Sequence, residues 1–167
     1  MDSNLKDKVL HICNTLNKHS VQYIIIGGTA VALHGYFRHS ISLAGKTTDK
    51  PDLDFWYNPI YDNYFKLLNA LQELGEDVSA FKAEKTPNPK ESFFKFEYPD
   101  FTLDFLPLIG DEKFRDLFER REVAKIDETE IYFLAYKDLI ANKIKTSRPK
   151  DLEDIKQLQQ IRKDNPE

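Results

Sequence analysis

The residues that could do chemistry are few, and the most telling of them are acidic. Asp52 and Asp54 stand two apart in Asp52-Leu53-Asp54-Phe55, inside a strand-like run. Alternate residues of a strand face one side, so both carboxylates point one way while Leu53 and Phe55 point into a core. Carboxylates held that close repel each other unless a cation lies between them. Magnesium takes oxygen ligands and is usually held by one or two carboxylates together with substrate phosphates. Ordinary acids on a solvent-facing strand edge would give the same pattern. Leu103-Asp104-Phe105-Leu106 sets a third acid among large apolar residues on another strand. If the two strands are neighbours, Asp52, Asp54 and Asp104 converge on a two-metal phosphoryl-transfer site, in which Asp104 is a metal ligand or the base for an attacking hydroxyl. An exposed acid on a half-buried strand is the other reading of Asp104.

Phosphate-binding candidates are of two kinds. Ile24-Ile25-Ile26-Gly27-Gly28 runs into a helix beginning at Thr29. Paired glycines allow a sharp turn and a close approach of ligand, and a helix start offers free N–H groups to an anion. A plain strand-to-helix turn needs the same residues. The second kind is cationic. Lys143 borders the stripe formed by Leu139, Ile140 and Ile144, with Arg148 and Lys150 following around Pro149. Lys143 could snorkel along that stripe or reach across a cleft to a triphosphate. Lys46 and Lys50 lie near the acids in sequence and could touch substrate. Gly45-Lys46-Thr47 imitates the end of an ATPase phosphate loop, but Ser40 stands where that loop needs its first glycine. His34 and His39 have no partner at metal-ligand spacing, so a zinc site is not expected.

The elements that must position these residues are legible in the hydrophobic pattern. Residues 3–18 read as an amphipathic helix on Leu5, Val9, Ile12 and Leu16. Tyr23 to Ile26 is a short buried strand, and a helix from Thr29 to His34 closes at Gly35. Residues 38–51 are polar and read as a loop. Leu53 to Tyr57 is the second strand, and Tyr61, Phe65, Leu68, Leu71 and Leu74 form a helical stripe stopped by Gly75. Residues 84–91 read as a loop. Phe93 to Tyr98 and Phe101 to Leu106 form a hairpin, and 112–120 a short helix. Glu122 to Ile126 and Glu130 to Phe133 are strands, and helices follow over 136–146 and about 150–162. This is an α/β (α+β) pattern with a mixed sheet packed by helices.

The chain of 167 residues suits a single domain, 1–167, with a core of about 20–134 and a helical part of about 135–162. The lone cysteine, Cys13, sits among apolar neighbours and reads as a buried thiol. A net charge of −4 does not indicate an extended nucleic-acid surface. The charged start is not a signal peptide, and no stretch approaches the length of a membrane span, so the cytoplasm is expected.

Together, Gly27-Gly28, Asp52-x-Asp54 and a later strand bearing Asp104 resemble the nucleotidyltransferase superfamily of the DNA polymerase β type. The run from Gly27 to Arg38 is similar to the opening of the branch that includes the nucleotidyltransferase toxins of abortive-infection systems. Lys137 to Lys143, with Arg148-Pro149-Lys150-Asp151 and Asp154-Ile155, is similar to that branch's C-terminal motif. The resemblance implies a minimal nucleotidyltransferase fold and magnesium-dependent transfer of a nucleoside monophosphate from a nucleoside triphosphate (NTP). The acceptor would be a hydroxyl on RNA, protein or a small molecule. It also implies two Mg2+ ions on Asp52, Asp54 and Asp104, and nucleotide contacts from Gly27, Gly28, Thr29, Lys143 and Arg148. An antitoxin protein would be a partner. The competing reading is a catalytically inactive module of the same fold that binds nucleotide or protein.

Overall fold

A computed structural model describes residues 3–35 and 50–164. In chain order these form α1 (Ser3–Lys18), β1 (Tyr23–Ile26), α2 (Gly27–Leu33), β2 (Asp52–Tyr57), α3 (Tyr61–Glu73) and α4 (Ser79–Lys82). A 3-10 turn follows (Pro89–Glu91), then β3 (Phe94–Glu97), β4 (Thr102–Leu106), α5 (Phe114–Glu119), β5 (Glu122–Ile126) and β6 (Thr129–Phe133). Two helices complete the fold, α6 (Tyr136–Thr146) and α7 (Pro149–Asp164). The loop expected over 38–51 falls almost wholly outside the described residues.

The six strands make one mixed sheet in the order β3-β4-β2-β1-β6-β5. β2 lies between β1, antiparallel to it, and β4, parallel to it. β1 pairs in parallel with β6, and the hairpins β3–β4 and β5–β6 close the two edges. A strand flanked on both sides has no water-facing edge, which is why Tyr23 to Ile26 can be apolar throughout and completely buried. β2 and β4 instead alternate around their acids. Leu53, Phe55, Leu103 and Phe105 are buried, and the Phe55 and Phe105 rings stack at 5.0 Å.

The helices complete a single hydrophobic cluster. α1 buries Leu5, Val9, Ile12 and Leu16 at the expected spacing, together with Cys13, whose thiol burial pushes up to about 12. The stripe of α3 is rotated from the one read in the sequence. Tyr64, Leu67, Leu68 and Leu71 face the core, while Tyr61 and Phe65 are exposed. Both sets fit helical spacing, and only the sheet beneath decides between them. α6 and α7 pack on each other, and their Leu139 and Leu158 join the same cluster. Among the described residues, no helix is long and apolar enough to cross a membrane.

Candidate active site

The site is built at the centre of the sheet. In register, Ile26 of β1 faces Asp54 of β2, and Asp54 faces Asp104 of β4. Parallel partners point to the same face, so Asp54 and Asp104 stand side by side, opposite the buried Leu53, Phe55, Leu103 and Phe105. The two carboxyl groups lie within hydrogen-bonding reach of each other. Burial, and then the charges of Asp104 and Asp52, push the Asp54 carboxyl up to about 7. Asp104 is also raised, chiefly by burial, while Asp54 and Lys95 oppose the shift. Lys95 reaches this position because β3 pairs it directly opposite Asp104. One oxygen of Asp104, Oδ1, is buried without a hydrogen-bond partner.

Gly27 completes the wall. It follows β1 directly and starts α2 with φ of +67°, a conformation that favours glycine. A Cβ at this position would lie 2.8 Å from Asp54 Oδ2, so the backbone passes as close to that carboxylate as a glycine permits. Gly28 is half-buried in the first turn of α2. Thr29 is buried, and its hydroxyl donates to the Asp52 carbonyl at 3.4 Å, tying α2 to β2.

Asp52 lies two residues before Asp54 on β2. Its register partner is Thr102, whose hydroxyl donates to Asp52 Oδ1. Among the described residues, no three His, Cys, Asp or Glu side chains gather as a metal-ligand group. The charge of Asp52 nevertheless acts on both Asp54 and Asp104.

The cations are also redistributed. Lys143 is buried, with only 3% of its surface exposed, and its Nζ lies 3.3 Å from Asp151 and 3.0 Å from Asp154, both fully buried. It neither snorkels nor faces open space, because α7 covers it with two acids. Arg148, by contrast, is half-exposed. It donates to Asp151 through Nε at 2.6 Å, Nη2 at 3.1 Å and its backbone N–H at 3.1 Å. Its charge is favoured first by Asp151 and, at longer range, by Asp54. Lys150, in the first turn of α7, likewise favours ionised Asp54. Lys50 is engaged with Glu97 and the Tyr98 carbonyl, at 2.9 and 2.6 Å. Arg38, His39 and Lys46 lie outside the described residues. His34 donates from Nε2 to the Leu134 carbonyl, 2.8 Å away, between the rings of Phe133 and Tyr136, and burial lowers its pKa.

Thr102, Lys95, Asp151 and Asp154 shape this region without having been singled out individually in the sequence. Their roles depend on strand register and on which helix covers α6. Asp151 and Asp154 stand in the C-terminal motif and three apart on α7, a spacing that puts both on one helical face.

No protein-family profile matches the sequence, and no curated protein does. Solved structures do resemble the fold. TM1012 of Thermotoga maritima, assigned as a nucleotidyltransferase, superposes with a TM-score of 0.58 at 14% identity, over 94% of this chain and 93% of that one. An antigenic nucleotidyltransferase-like protein of Paracoccidioides brasiliensis gives 0.53 at 14% identity, covering 94% and 76%. The antibiotic-resistance factor ANT(2'')-Ia gives 0.55 at 17% identity, covering 95% and 84%. At these identities the likeness is one of fold: a mixed sheet packed by helices, in the nucleotidyltransferase arrangement.

Proposed function

We propose that this protein transfers a nucleoside monophosphate from an NTP to an acceptor hydroxyl. The observation that carries the reading is the Asp54–Asp104 pair, two carboxyl groups side by side against a backbone kept bare by Gly27. Such a pair is costly to hold ionised unless a cation joins it. The buried, unpartnered Asp104 Oδ1 and the raised Asp54 fit a magnesium ion, whose ligands are oxygens. Asp54 and Asp104 would hold it, and Asp52 would join by releasing the Thr102 hydroxyl. The ion, when bound, supplies charge neutralisation at the phosphates.

The protein's own groups then have distinct tasks. Gly27 and Gly28 leave room beside Asp54 and offer backbone N–H groups to phosphate. Thr29 holds that turn against β2. Arg148 and Lys150 add positive charge at the same end of the sheet; Lys143 keeps its charge for Asp151 and Asp154. The acceptor oxygen attacks the α-phosphorus while its bond to the bridging oxygen breaks and pyrophosphate leaves. The hydroxyl proton passes to a site carboxylate, Asp104 or Asp52. A role as the toxin of a toxin–antitoxin pair, with an antitoxin protein as partner and the cytoplasm as location, rests on the sequence resemblance.

Labelled NTPs incubated with the protein, Mg2+ and cell extract test the reaction. Label should appear on RNA, protein or a small molecule with wild type and vanish with Asp54→Asn. The Asp52–Thr102 contact favours a second reading, a nucleotide-binding module without transfer. In that case NTP and Mg2+ would raise the melting temperature, yet no acceptor would carry label.

A further inference from the structure

We propose that Asp151 is a positioning residue that holds the Arg148 guanidinium at the mouth of the acid site, where it meets the NTP phosphates. This rests on the nucleotidyltransferase reading above and assigns it a residue that does not itself touch substrate.

Asp151 is fully buried, yet its carboxylate is bonded from several sides. Besides the three donors of Arg148, it accepts from Thr146 Oγ1 at 2.8 Å and Lys143 Nζ at 3.3 Å. Burial opposes its ionisation, and the hydrogen bonds from Arg148 and Thr146 overcome it, holding the carboxyl well below the usual range. Lys143 is also paired with buried Asp154. Lys143, Arg148, Asp151 and Asp154 thus stand together in one charged cluster. Three of them are sealed in the interior and only the arginine reaches solvent.

The backbone makes this arrangement rigid. Ser147 ends α6 in the left-handed conformation, at φ of 47°, and Pro149 starts α7 immediately after Arg148. Arg148 therefore sits at a fixed corner between two helices. Arg148, at that corner, and Lys150, in the first turn of α7, lie close enough to the acids for their charges to act on Asp54.

A guanidinium held from behind through Nε and one terminal nitrogen keeps its remaining N–H groups directed outward, the geometry suited to phosphate. Holding it beforehand also removes the ordering cost from binding.

The test is a double-mutant cycle read by calorimetric titration with the α,β-methylene analogues of ATP, GTP, CTP and UTP in Mg2+. Arg148→Ala should weaken the best analogue about ten- to hundredfold, and Asp151→Asn about tenfold. In the Arg148→Ala background, Asp151→Asn should cost nothing further, because its effect passes through the arginine. A merely structural Asp151 would weaken binding equally in both backgrounds, and that result overturns the proposal. Should Asp151→Asn fail to fold, Thr146→Val removes one bond to the carboxylate and leaves its charge. It should reproduce a smaller loss that also disappears with Arg148→Ala. Without ligand, the Arg148 Nε–H resonance should be sharp in wild type and broaden in Asp151→Asn; a resonance indifferent to the substitution also refutes the clamp. Absence of analogue binding by wild type would refute the nucleotide reading and the phosphate role of Arg148, and the ligand-free resonance would still decide whether Asp151 holds the arginine.

Discussion

At the scale of single residues, the Asp54–Asp104 pair ties stability to pH. Folded Asp54 keeps its proton up to about 7, whereas an unperturbed aspartate releases it near 3.8. The folded state binds more protons across that window, so its stability falls as pH rises through it. His34 works in the opposite sense, since its lowered pKa costs stability as pH falls below about 6.5. Comparing wild type with Asp54→Asn cancels the histidine. Without divalent cations at pH 8, Asp54→Asn should be the more stable by about 2–4 kcal/mol in denaturant unfolding, and the gap should close by pH 4. Adding Mg2+ at pH 8 should stabilise wild type alone. Equal stabilities at pH 8 would show that the pair carries no strain. Gly27→Ala places a methyl against Asp54 Oδ2 in a left-handed conformation. It should cost about 1–3 kcal/mol and weaken Mg2+ binding, both measurable by denaturation and titration; unaltered Mg2+ affinity would contradict the close approach. The acids and the glycine turn were legible in the sequence because period-two spacing and paired glycines are local signals. The Thr102 hydroxyl on Asp52 was not, because Thr102 faces it only through a register that residues fifty apart establish.

Among the elements, α6 and α7 carry the sharpest departure from sequence reading. The boundaries of both helices were legible from apolar spacing and from the Ser147 to Pro149 break. The burial of Lys143 was not, since helical spacing locates a residue on its own helix and says nothing of the helix that covers it. The same limit explains the rotated stripe of α3, where two faces offered comparable apolar content. The short α4 and the turn at Pro89 lie in segments whose prolines and lysines carry no periodicity. Lys143→Met should destabilise the protein by about 3–5 kcal/mol, because it removes the buried cation that lies 3.3 Å from Asp151 and 3.0 Å from Asp154. Lys143→Arg, which keeps a buried positive charge beside the two acids, should lose less. Thermal unfolding of the three proteins checks both statements. A stable Lys143→Met variant would place Lys143 in contact with solvent.

For the whole molecule, one hydrophobic cluster takes residues from α1, the sheet and α7, which predicts a single unfolding transition. Trp56 is the only tryptophan and is buried beside Phe114, its indole N–H donating to the Pro107 carbonyl at 3.0 Å. Its fluorescence and the far-UV circular dichroism should lose signal together; an earlier loss of helical signal would reveal independent melting of α6 and α7. The topology also bears on how the protein is made. β1 is completed on one side by β6, through the Ile25–Phe133 pairing, and α1 packs on that same late strand. A ribosome adding about 5–20 residues per second needs roughly 5–20 s to travel from Ile25 to Phe133. Throughout that interval the nascent chain displays Tyr-Ile-Ile-Ile as a strand with an open side, a sticky edge that invites pairing with other chains. Slower, cooler expression that keeps few such chains in the cell at once should therefore raise the soluble yield more than any change made to the finished surface.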